Sequence, residues 1–458
     1  MSIYEDILKI IGDKKRVLKG EEAENKYLSD ALGRRHGTAD AIVFALSAKE
    51  VSEVFKYANE RKIHVTPRGA GTNLVGSTVP QFGGIVIDVS RMNHILELDD
   101  KNFTLTVEPG VLLKDIQSFV EEKGFFYPPD PGDREASIGG NINTNAGGMR
   151  AVKYGVTRNF VRGLEFVLPN GDIIEAGSKN VKDSSGLSLT NFVIGSEGTL
   201  AIVTKCILRL IPKPEEVLNI LITYPDMKKA SESVNSIIKN NINPTAIEFI
   251  EDNVIGLAEK HTGKKFPAKA PAYLLIILDG NRKQIDDASE KLNEIVLEDG
   301  ANEVLVLDEK DAADVWEMRG CIVRAVEEFS IQEPLDIVVP IAKIAEFIDF
   351  IHETEKKTGV NMITFGHAGD GNIHLCILRE DRTDEEWEKD LSNVTGILYK
   401  KAYEFGGLAS GEHGIGLSKQ IHYQNETPPQ NLALMNAIKK AFDPNGILNS
   451  KKSYLFID

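Results

Sequence analysis

The sequence is poor in cysteine. Only three occur among 458 residues, Cys206, Cys321 and Cys376, and they lie far apart. An iron–sulfur cluster needs about four thiolates, and a disulfide framework needs a denser set of pairs. The cysteine content therefore excludes both and predicts a protein of a reducing compartment, which we expect to be the cytoplasm.

Long apolar runs are also absent from the sequence. The longest, Tyr273 to Leu278 and Ile337 to Ile341, fall well short of the roughly 20 residues that span a bilayer. Near the N-terminus, Glu5, Asp6 and Asp13 interrupt the apolar residues, which the hydrophobic region of a secretory signal would not tolerate. We therefore expect no transmembrane segment and no targeting segment.

Positive charge is in deficit. The 53 Lys and Arg residues against 69 Asp and Glu residues leave a net charge of -16. Such a field repels phosphate backbones, so we expect no nucleic-acid partner. The chain is 42% hydrophobic, which is ordinary for a globular protein, and its length predicts two or three domains at roughly 150 residues each.

The local pattern changes once along the chain, near residues 213–216. Before it, short β-like runs and glycines alternate with two helical segments, at 47–61 and 112–123, which predicts an α+β block; the runs lie at 41–46, 84–89, 104–107, 164–168 and 192–194. After it, residues 218–307 read as β-α-β-β-α-β, a ferredoxin-like unit. Helices are expected at 309–330, 342–358 and 384–405, with a strand near 336–339.

Two glycine-rich stretches lie in the first block. Residues 67–77 read Pro-Arg-Gly-Ala-Gly-Thr-Asn-Leu-Val-Gly-Ser, and residues 137–148 read Ser-Ile-Gly-Gly-Asn-Ile-Asn-Thr-Asn-Ala-Gly-Gly. Such glycines allow a tight turn whose backbone N–H groups point at an anion, which suits a pyrophosphate. A glycine-rich turn without a ligand is the alternative for one stretch alone. Neither stretch has the glycine spacing of a Rossmann or Walker motif.

These stretches carry a resemblance, together with Lys153-Tyr154-Gly155 and residues 195–203, which read Gly-Ser-Glu-Gly-Thr-Leu-Ala-Ile-Val. They resemble the FAD-binding half of the FAD-linked oxidases of the vanillyl-alcohol oxidase superfamily. More narrowly, nearly the whole chain resembles the D-2-hydroxy-acid dehydrogenases, which include D-lactate dehydrogenase and the large subunit of glycolate oxidase. The resemblance implies an α+β fold in which a two-subdomain FAD-binding domain is joined to a ferredoxin-like cap domain for the substrate.

The resemblance also implies a division of the chain and a set of FAD contacts. The FAD-binding domain would span 1–213, the cap domain with a metal site 214–408, and a C-terminal segment, 409–458, would return to the FAD domain. FAD would be noncovalent, because residues 67–77 contain none of the His, Cys or Tyr side chains that hold covalent flavins. The implied FAD-binding residues are Pro67, Arg68, Gly69, Ala70, Gly71, Thr72, Asn73, Gly76, Ser77, Pro129, Asp130, Ser137, Gly139, Gly140, Asn141, Asn143, Asn145, Gly147, Gly148, Tyr154, Gly155, Glu197, Gly198, Ile202, Val203 and Asn449.

Three of the nine histidines lie among glycines. His367 and His374 belong to Gly-His-Ala-Gly-Asp-Gly-Asn-Ile-His, and His413 belongs to Ser-Gly-Glu-His-Gly. Two imidazoles and a carboxylate would form an open site for zinc, manganese or iron, with positions left for a substrate. In the family, residues matching His367, His374 and Glu412 bind such a divalent metal. A structural histidine is the alternative for each residue taken alone.

The resemblance implies roles for two further residues. His413 matches the histidine beside the flavin and would act as the base that takes the hydroxyl proton. Arg319 matches an arginine that relatives use for the substrate carboxylate, and a solvated arginine on a surface helix is the alternative. The implied reaction is the oxidation of D-lactate, or of another small D-2-hydroxy acid, to the 2-oxo acid.

Electrons must leave the reduced FAD, and the sequence offers no second redox centre. A protein partner is therefore expected, and the resemblance implies electron-transferring flavoprotein, linked to NAD and ferredoxin by electron bifurcation. The alternatives are a glycolate or other D-2-hydroxy-acid dehydrogenase serving quinone or an iron–sulfur subunit, an electron-transfer subunit with a structural metal, and an ether-lipid synthase of this superfamily. Cys376, where relatives that favour dicarboxylates can carry a polar residue, gives less support to a long polar substrate.

Overall fold

The computed structural model describes residues 2–454 of the chain. The helices are α1 (Ile3–Ile11), α2 (Ala48–Arg61), α3 (Leu113–Glu121), α4 (Ile138–Thr144), α5 (Ala151–Tyr154), α6 (Thr157–Phe160), α7 (Leu189–Val193), α8 (Met227–Lys239), α9 (Asp252–Thr262), α10 (Arg282–Glu298), α11 (Glu309–Gly320), α12 (Ile322–Phe329), α13 (Ile344–Thr358), α14 (Asp384–Glu404), α15 (Gln420–Glu426) and α16 (Pro429–Phe442). The expected α+β class is confirmed.

The described residues also form eighteen β-strands. They are β1 (Val17–Lys19), β2 (Ala41–Phe44), β3 (Val65–Arg68), β4 (Ile85–Asp88), β5 (Ile95–Asp99), β6 (Thr104–Val107), β7 (Phe125–Phe126), β8 (Val161–Val167), β9 (Ile173–Gly177), β10 (Ile202–Arg209), β11 (Ile211–Pro212), β12 (Glu216–Tyr224), β13 (Ala246–Glu251), β14 (Ala272–Gly280), β15 (Glu303–Val306), β16 (Gln332–Val338), β17 (Met362–His367) and β18 (Asn372–Leu378). None of the helices within residues 2–454 has the length and hydropathy that a bilayer span requires.

The chain folds into two compact units. The first contains residues up to 147, 156–213 and those from 412 onwards, and the second contains 148–155 and 214–411. The chain leaves the first unit for the second after residue 213. The last boundary lies at 411/412 rather than at 408/409, and residues 148–155, expected within the FAD-binding domain, pack with the second unit. The functional assignment of each unit stays a prediction.

The first unit contains two main sheets. One has the order β1-β2-β4-β3, with β2, β4 and β3 parallel, and the other is antiparallel with the order β5-β6-β10-β8-β9. Helix α2 begins where expected, because the Ser47 hydroxyl accepts a hydrogen bond from the Glu50 backbone N–H at 3.3 Å. Its buried residues recur at helical spacing and pack against the parallel strands: Val51, Val54, Phe55 and Ala58.

The second unit is built on one antiparallel sheet of seven strands in the order β15-β12-β14-β13-β17-β18-β16. Its first four strands have the connections and order of a ferredoxin-like unit, as expected from the sequence. Helix α9 is an addition between β13 and β14. Strand β13 continues the sheet into β17, β18 and β16, and helices α9, α11 and α12 cover a face that holds an apolar core.

Two local expectations are wrong. Residues 192–194 do not form a strand, because helix α7 extends to Val193. The ring of Phe192 lies 6.1 Å from that of Phe442. A run of three apolar residues does not distinguish a strand from a helix. The single helix expected at 309–330 is two helices that meet at Cys321, where φ is -93° and ψ is 0°. The bend lets both α11 and α12 pack against α9.

Candidate active site

The loop that follows β3 in the first unit is held by side chains from its own sequence and from the second glycine stretch. The Ser137 hydroxyl accepts a hydrogen bond from the Ala70 backbone N–H at 3.2 Å. Oδ1 of Asn73 accepts from the backbone N–H groups of Val75 and Ser77, at 3.1 and 2.9 Å. These hydrogen bonds fix the loop, and none of them uses the backbone N–H groups of residues 71–74.

Close approach of the backbone explains particular glycines of the two stretches. A Cβ on Gly69 would overlap the Ser137 hydroxyl. A Cβ on Gly139 would lie 2.7 Å from the Cβ of Pro109, closer than real carbon atoms approach. Gly71 has a φ of +80°, a left-handed conformation that side chains disfavour. These glycines are thus required by the packing and by the turn.

Glu197 connects this loop to the C-terminal part of the first unit. Its buried carboxylate accepts hydrogen bonds from the Ser77 hydroxyl at 2.7 Å and from the backbone N–H groups of Ile415 and Gly416 at 2.9 and 2.8 Å. The Ser453 hydroxyl donates to it at 2.8 Å. Glu197 therefore organises three separate segments of the predicted flavin site and does not act as an isolated ligand.

The first unit also contains buried polar atoms that fit a bound nucleotide. Nδ2 of Asn141, Oδ1 of Asn143, Oγ of Ser196 and Oγ1 of Thr78 are buried and find no hydrogen-bond partner among residues 2–454. Buried polar atoms usually have partners, so these four are available to a polar ligand. All four lie in or beside the stretches predicted to bind FAD. These residues therefore fit the proposed cofactor.

Most of the residues predicted to contact FAD lie in the first unit, but Gly148, Tyr154 and Gly155 lie in the second. The Tyr154 hydroxyl lies 3.0 and 2.9 Å from the two carboxylate oxygens of Asp279, which also pairs with Lys153. Burial, and secondly the Asp279 carboxylate, raise the pKa of Tyr154. Within this unit Tyr154 therefore serves as an anchor to β14.

A row of four side chains crosses the seven-stranded sheet of the second unit. Strand register places Glu248 opposite His367 and Asp336 opposite His374, and the two histidines come from the adjacent strands β17 and β18. The carboxylates of Glu248 and Asp336 are fully buried, and both histidines are nearly so. Each imidazole therefore has an acidic neighbour on the next strand.

Glu248 binds one of these histidines tightly. Its Oε1 lies 2.6 Å from Nδ1 of His367. Burial alone would raise the pKa of Glu248, but the charges and hydrogen bonds of His367 and Arg319 outweigh it and hold the pKa below its usual value. The carboxylate is therefore the acceptor, and Nδ1 of His367 is the donor.

Asp336 organises the other end of the row. Its carboxylate accepts from Nδ2 of Asn372 at 2.7 Å, from the Ser410 hydroxyl at 2.8 Å and from the Gly411 backbone N–H at 3.0 Å, and it lies 3.9 Å from Nδ1 of His374. Asn372 thus supports Asp336. The same carboxylate fixes the chain immediately before Glu412.

The two histidines have the spacing of ligands to one ion. Nε2 of His367 lies 3.2 Å from Nε2 of His374. Two nitrogens bound to one zinc-like ion at about 2.0–2.1 Å each, at roughly tetrahedral angles, are separated by about 3.2–3.4 Å. Glu248 behind His367 forms a carboxylate–histidine pair of the kind common at metal centres, and Asp336 lies 3.9 Å from the His374 ring. The residues present therefore fit a divalent metal.

Arg319 lies in the last turn of α11 and is buried, so the alternative of a solvated arginine is wrong. Its Nε and NH2 groups contact Oε2 of Glu248 at 2.9 and 2.5 Å. The guanidinium carbon lies 4.9 Å from the centre of the Phe365 ring. Arg319 therefore stands beside the histidine pair with a fixed orientation.

Glu412 and His413 belong to the first unit. The Glu412 carboxylate lies beside Gly147, where an added Cβ would be 3.4 Å from Oε2. The backbone carbonyl of His413 accepts a hydrogen bond from Nδ2 of Asn73 at 3.4 Å. Within this unit the predicted base is therefore attached to the predicted pyrophosphate loop.

Glu248, Asp336 and Asp279 are the residues that sequence reasoning missed. Each lies in an apolar strand and outside the glycine and histidine motifs singled out above, although Gly280 follows Asp279 directly. Glu248 and Asp336 gain their importance from pairing with strands that are distant in the chain. A buried acidic residue inside a strand pattern was the available signal, because charge is rarely buried without a partner.

The fold and these sites define an FAD-dependent oxidoreductase, and comparison with known proteins agrees. The profile of the family described as "FAD linked oxidases, C-terminal domain" matches residues 213–453, and the profile described as "FAD binding domain" matches residues 39–177. The chain belongs to the FAD-linked oxidase family. The resemblance inferred from the motifs is confirmed, and so is FAD as the cofactor.

Relatives match along almost the whole chain. D-lactate dehydrogenase from Anaerostipes hadrus is 42% identical over 96% of this chain and 94% of its own. Glycolate oxidase subunit GlcD from Bacillus subtilis (strain 168) is 39% identical, with coverages of 93% and 92%. Among solved structures, p-cresol methylhydroxylase matches with a TM-score of 0.82 at 20% identity, covering 99% of this chain and 96% of its own, which establishes the vanillyl-alcohol oxidase type of fold.

Proposed function

We propose that this protein oxidises a small D-2-hydroxy acid, with D-lactate preferred, to the 2-oxo acid. The observation that carries the proposal is the buried group of His367, His374 and Arg319, which offers two metal ligands beside a fork-shaped cation. Relatives named for D-lactate and glycolate oxidation support the same substrate class. The substrate carries a hydroxyl and a carboxylate on neighbouring carbons, which are the two groups that such a site recognises.

Arg319 is the proposed carboxylate-binding residue. Its Nε–NH2 edge is occupied by Glu248, which leaves the N–H groups of NH1 for a ligand. Guanidinium groups bind carboxylates with a fixed geometry that a lysine does not reproduce. We expect Arg319 to hold the acid by its carboxylate and so to select hydroxy acids over simple alcohols.

His367 and His374 are the proposed metal ligands, and Glu412 is the third ligand expected from the sequence. A divalent ion held there supplies Lewis acidity, which lowers the pKa of an alcohol enough for a histidine to act as its base. His413 is the proposed base and would take the hydroxyl proton. Bound FAD supplies the hydride acceptor. Asn73 supports the backbone of His413, and Asp336 fixes the preceding residues Ser410 and Gly411.

The decisive experiment follows flavin absorbance under anaerobic conditions. D-lactate, L-lactate, glycolate and D-2-hydroxyglutarate are each mixed with the purified FAD-loaded protein. D-lactate is expected to bleach the flavin fastest, glycolate to do so more slowly and L-lactate to have no effect. Equal rates with the two lactate enantiomers, or no bleaching with any hydroxy acid, would contradict the proposal.

The proposed electron acceptor is an electron-transferring flavoprotein that carries electrons towards NAD and ferredoxin. The support is the sequence itself, in which three separated cysteines provide no cluster through which two electrons could leave. The test mixes D-lactate-reduced protein with purified electron-transferring flavoprotein and follows anaerobic reoxidation. Rapid reduction of a quinone analogue, while the flavoprotein stays oxidised, would favour the quinone-linked alternative.

A further inference from the structure

We propose that Glu248 is a positioning residue that fixes the metal-binding histidine and the carboxylate-binding arginine to each other. The inference rests on the proposed function and deepens it. The substrate hydroxyl would bind at the metal held by His367, and the substrate carboxylate would bind Arg319. Both residues contact the buried carboxylate of Glu248. Glu248 would thereby set the distance between the metal and the carboxylate site.

The geometry assigns one oxygen of Glu248 to each neighbour. Oε1 lies 2.6 Å from Nδ1 of His367, and Oε2 lies 2.9 and 2.5 Å from Nε and NH2 of Arg319. The three side chains come from β13, β17 and α11, and the strand register places Glu248 directly opposite His367. All three are buried, so water competes little with these bonds.

The shared carboxylate determines which nitrogen of His367 is available to a metal. A guanidinium only donates, so Arg319 keeps Glu248 as an acceptor. Nδ1 of His367 must then donate to Oε1, which leaves Nε2 with its lone pair. That Nε2 is the atom that lies 3.2 Å from Nε2 of His374. Glu248 therefore fixes the tautomer as well as the orientation of the ring.

Glutamine cannot replace this carboxylate. The Oε1 atom of a glutamine can accept from His367 or from Arg319, but its NH2 group then faces the remaining donor. Either the Arg319 guanidinium loses an acceptor, or Nδ1 of His367 has to accept from the amide, which places the ring proton on Nε2, the atom needed for the metal. The substitution Glu248→Gln is nearly isosteric, so it tests the charge and the two acceptor oxygens rather than the volume.

Glu251 offers a matched control. It lies on the same strand, three residues later and therefore on the opposite face, and it is also a buried glutamate. Its partners are His352, at 3.0 Å from Oε1, and the Thr364 hydroxyl. Glu251→Gln should cost stability in a similar way, but it should leave the histidine pair and Arg319 in place.

The first measurement is metal affinity, with Co²⁺ as the probe and without substrate. Metal-free, FAD-loaded protein is titrated with Co²⁺, and its ligand-field absorption reports binding. E248Q is expected to raise the Kd for Co²⁺ by about 10-fold to 100-fold, the usual effect of losing a partner behind a ligand. E251Q should stay within about twofold of the unaltered protein. An unchanged Kd in E248Q would overturn the proposal.

The second measurement separates KM from kcat with D-lactate. E248Q should raise KM, because Arg319 loses the carboxylate that orients it. In a protein that already carries Arg319→Lys, adding E248Q should change KM less than twofold. A full KM effect in that background would mean that Glu248 does not act through Arg319. Glu248→Asp, which keeps the charge but shortens the reach, is the second variant if E248Q does not fold, with smaller effects in the same direction.

The two measurements distinguish this inference from the proposed function. If D-lactate is not a substrate, the loss of Co²⁺ affinity in E248Q persists and only the KM comparison disappears. If D-lactate is oxidised normally by E248Q and Co²⁺ binds as before, the proposed function stands and the role assigned to Glu248 is wrong.

Discussion

The Nε2 atoms of His367 and His374 lie 3.2 Å apart, and the two rings are inclined at 87°. Because Nδ1 of His367 contacts Glu248, its Nε2 is directed at the neighbouring ring. The resulting pair places two imidazole nitrogens at ligand spacing within a buried part of the sheet.

Removal of the proposed metal should therefore abolish substrate oxidation and leave the flavin bound, because the histidine pair and the FAD motifs lie on different segments. We expect His374→Ala, or treatment with a chelator, to remove flavin bleaching by D-lactate while the visible flavin spectrum stays. His94→Ala, at an exposed histidine, is the control. Normal bleaching by metal-free protein would mean that the histidine pair is structural.

Replacement of Gly71 by leucine should release FAD. Its φ of +80° costs a side chain about 1–2 kcal/mol, and the new Cβ would overlap the Arg68 guanidinium at the predicted pyrophosphate loop. Gly124 has a φ of +79° and no atoms near an added Cβ, so Gly124→Leu carries only the backbone cost. Fluorescence of free flavin after gel filtration measures retention; equal retention by the two variants would contradict a role of this loop in binding.

Glu197→Gln should weaken the first unit. A glutamine has one acceptor oxygen where the buried carboxylate has two, and in either orientation its NH2 group faces the backbone N–H of Ile415 or Gly416. An unsatisfied buried donor costs about 1–3 kcal/mol, so we expect the free energy of unfolding to fall by about that amount. Urea unfolding followed by circular dichroism measures it. The exposed Glu175→Gln should change it little.

His352 should make stability depend on alkaline pH. Hydrogen bonds that His352 donates to the carboxylates of Glu251 and Glu355 raise its pKa from 6.5 to about 10. Because the folded-state pKa is the higher one, this stabilisation is complete below about pH 6.5 and is lost as the pH rises towards about 10. Urea unfolding of the unaltered protein and of His352→Gln should differ most at pH 6 and least above pH 10. A difference that grows with pH would refute the assignment.

Local patterns were sufficient to predict much of this molecule. The capping serine before α2, the β-α-β-β-α-β order and the glycine and histidine motifs all depend on residues that are close in sequence. The contact between Glu248 and His367 joins residues 119 positions apart, and it depends on the pairing of β13 with β17. Nothing local specifies which edge of a ferredoxin-like unit accepts further strands, so the pairing of Glu248 with His367 could not be predicted from the sequence.

The chain passes between its two units at 147/148, 155/156, 213/214 and 411/412. A gene divided at residue 213 would separate Glu197 from the Ile415 and Gly416 amides that bind it, and Asp279 from Tyr154. Each product would lack a piece of its own interior. No single position in the chain therefore separates the two units, and a recombination event that exchanges one contiguous segment would not exchange a whole unit.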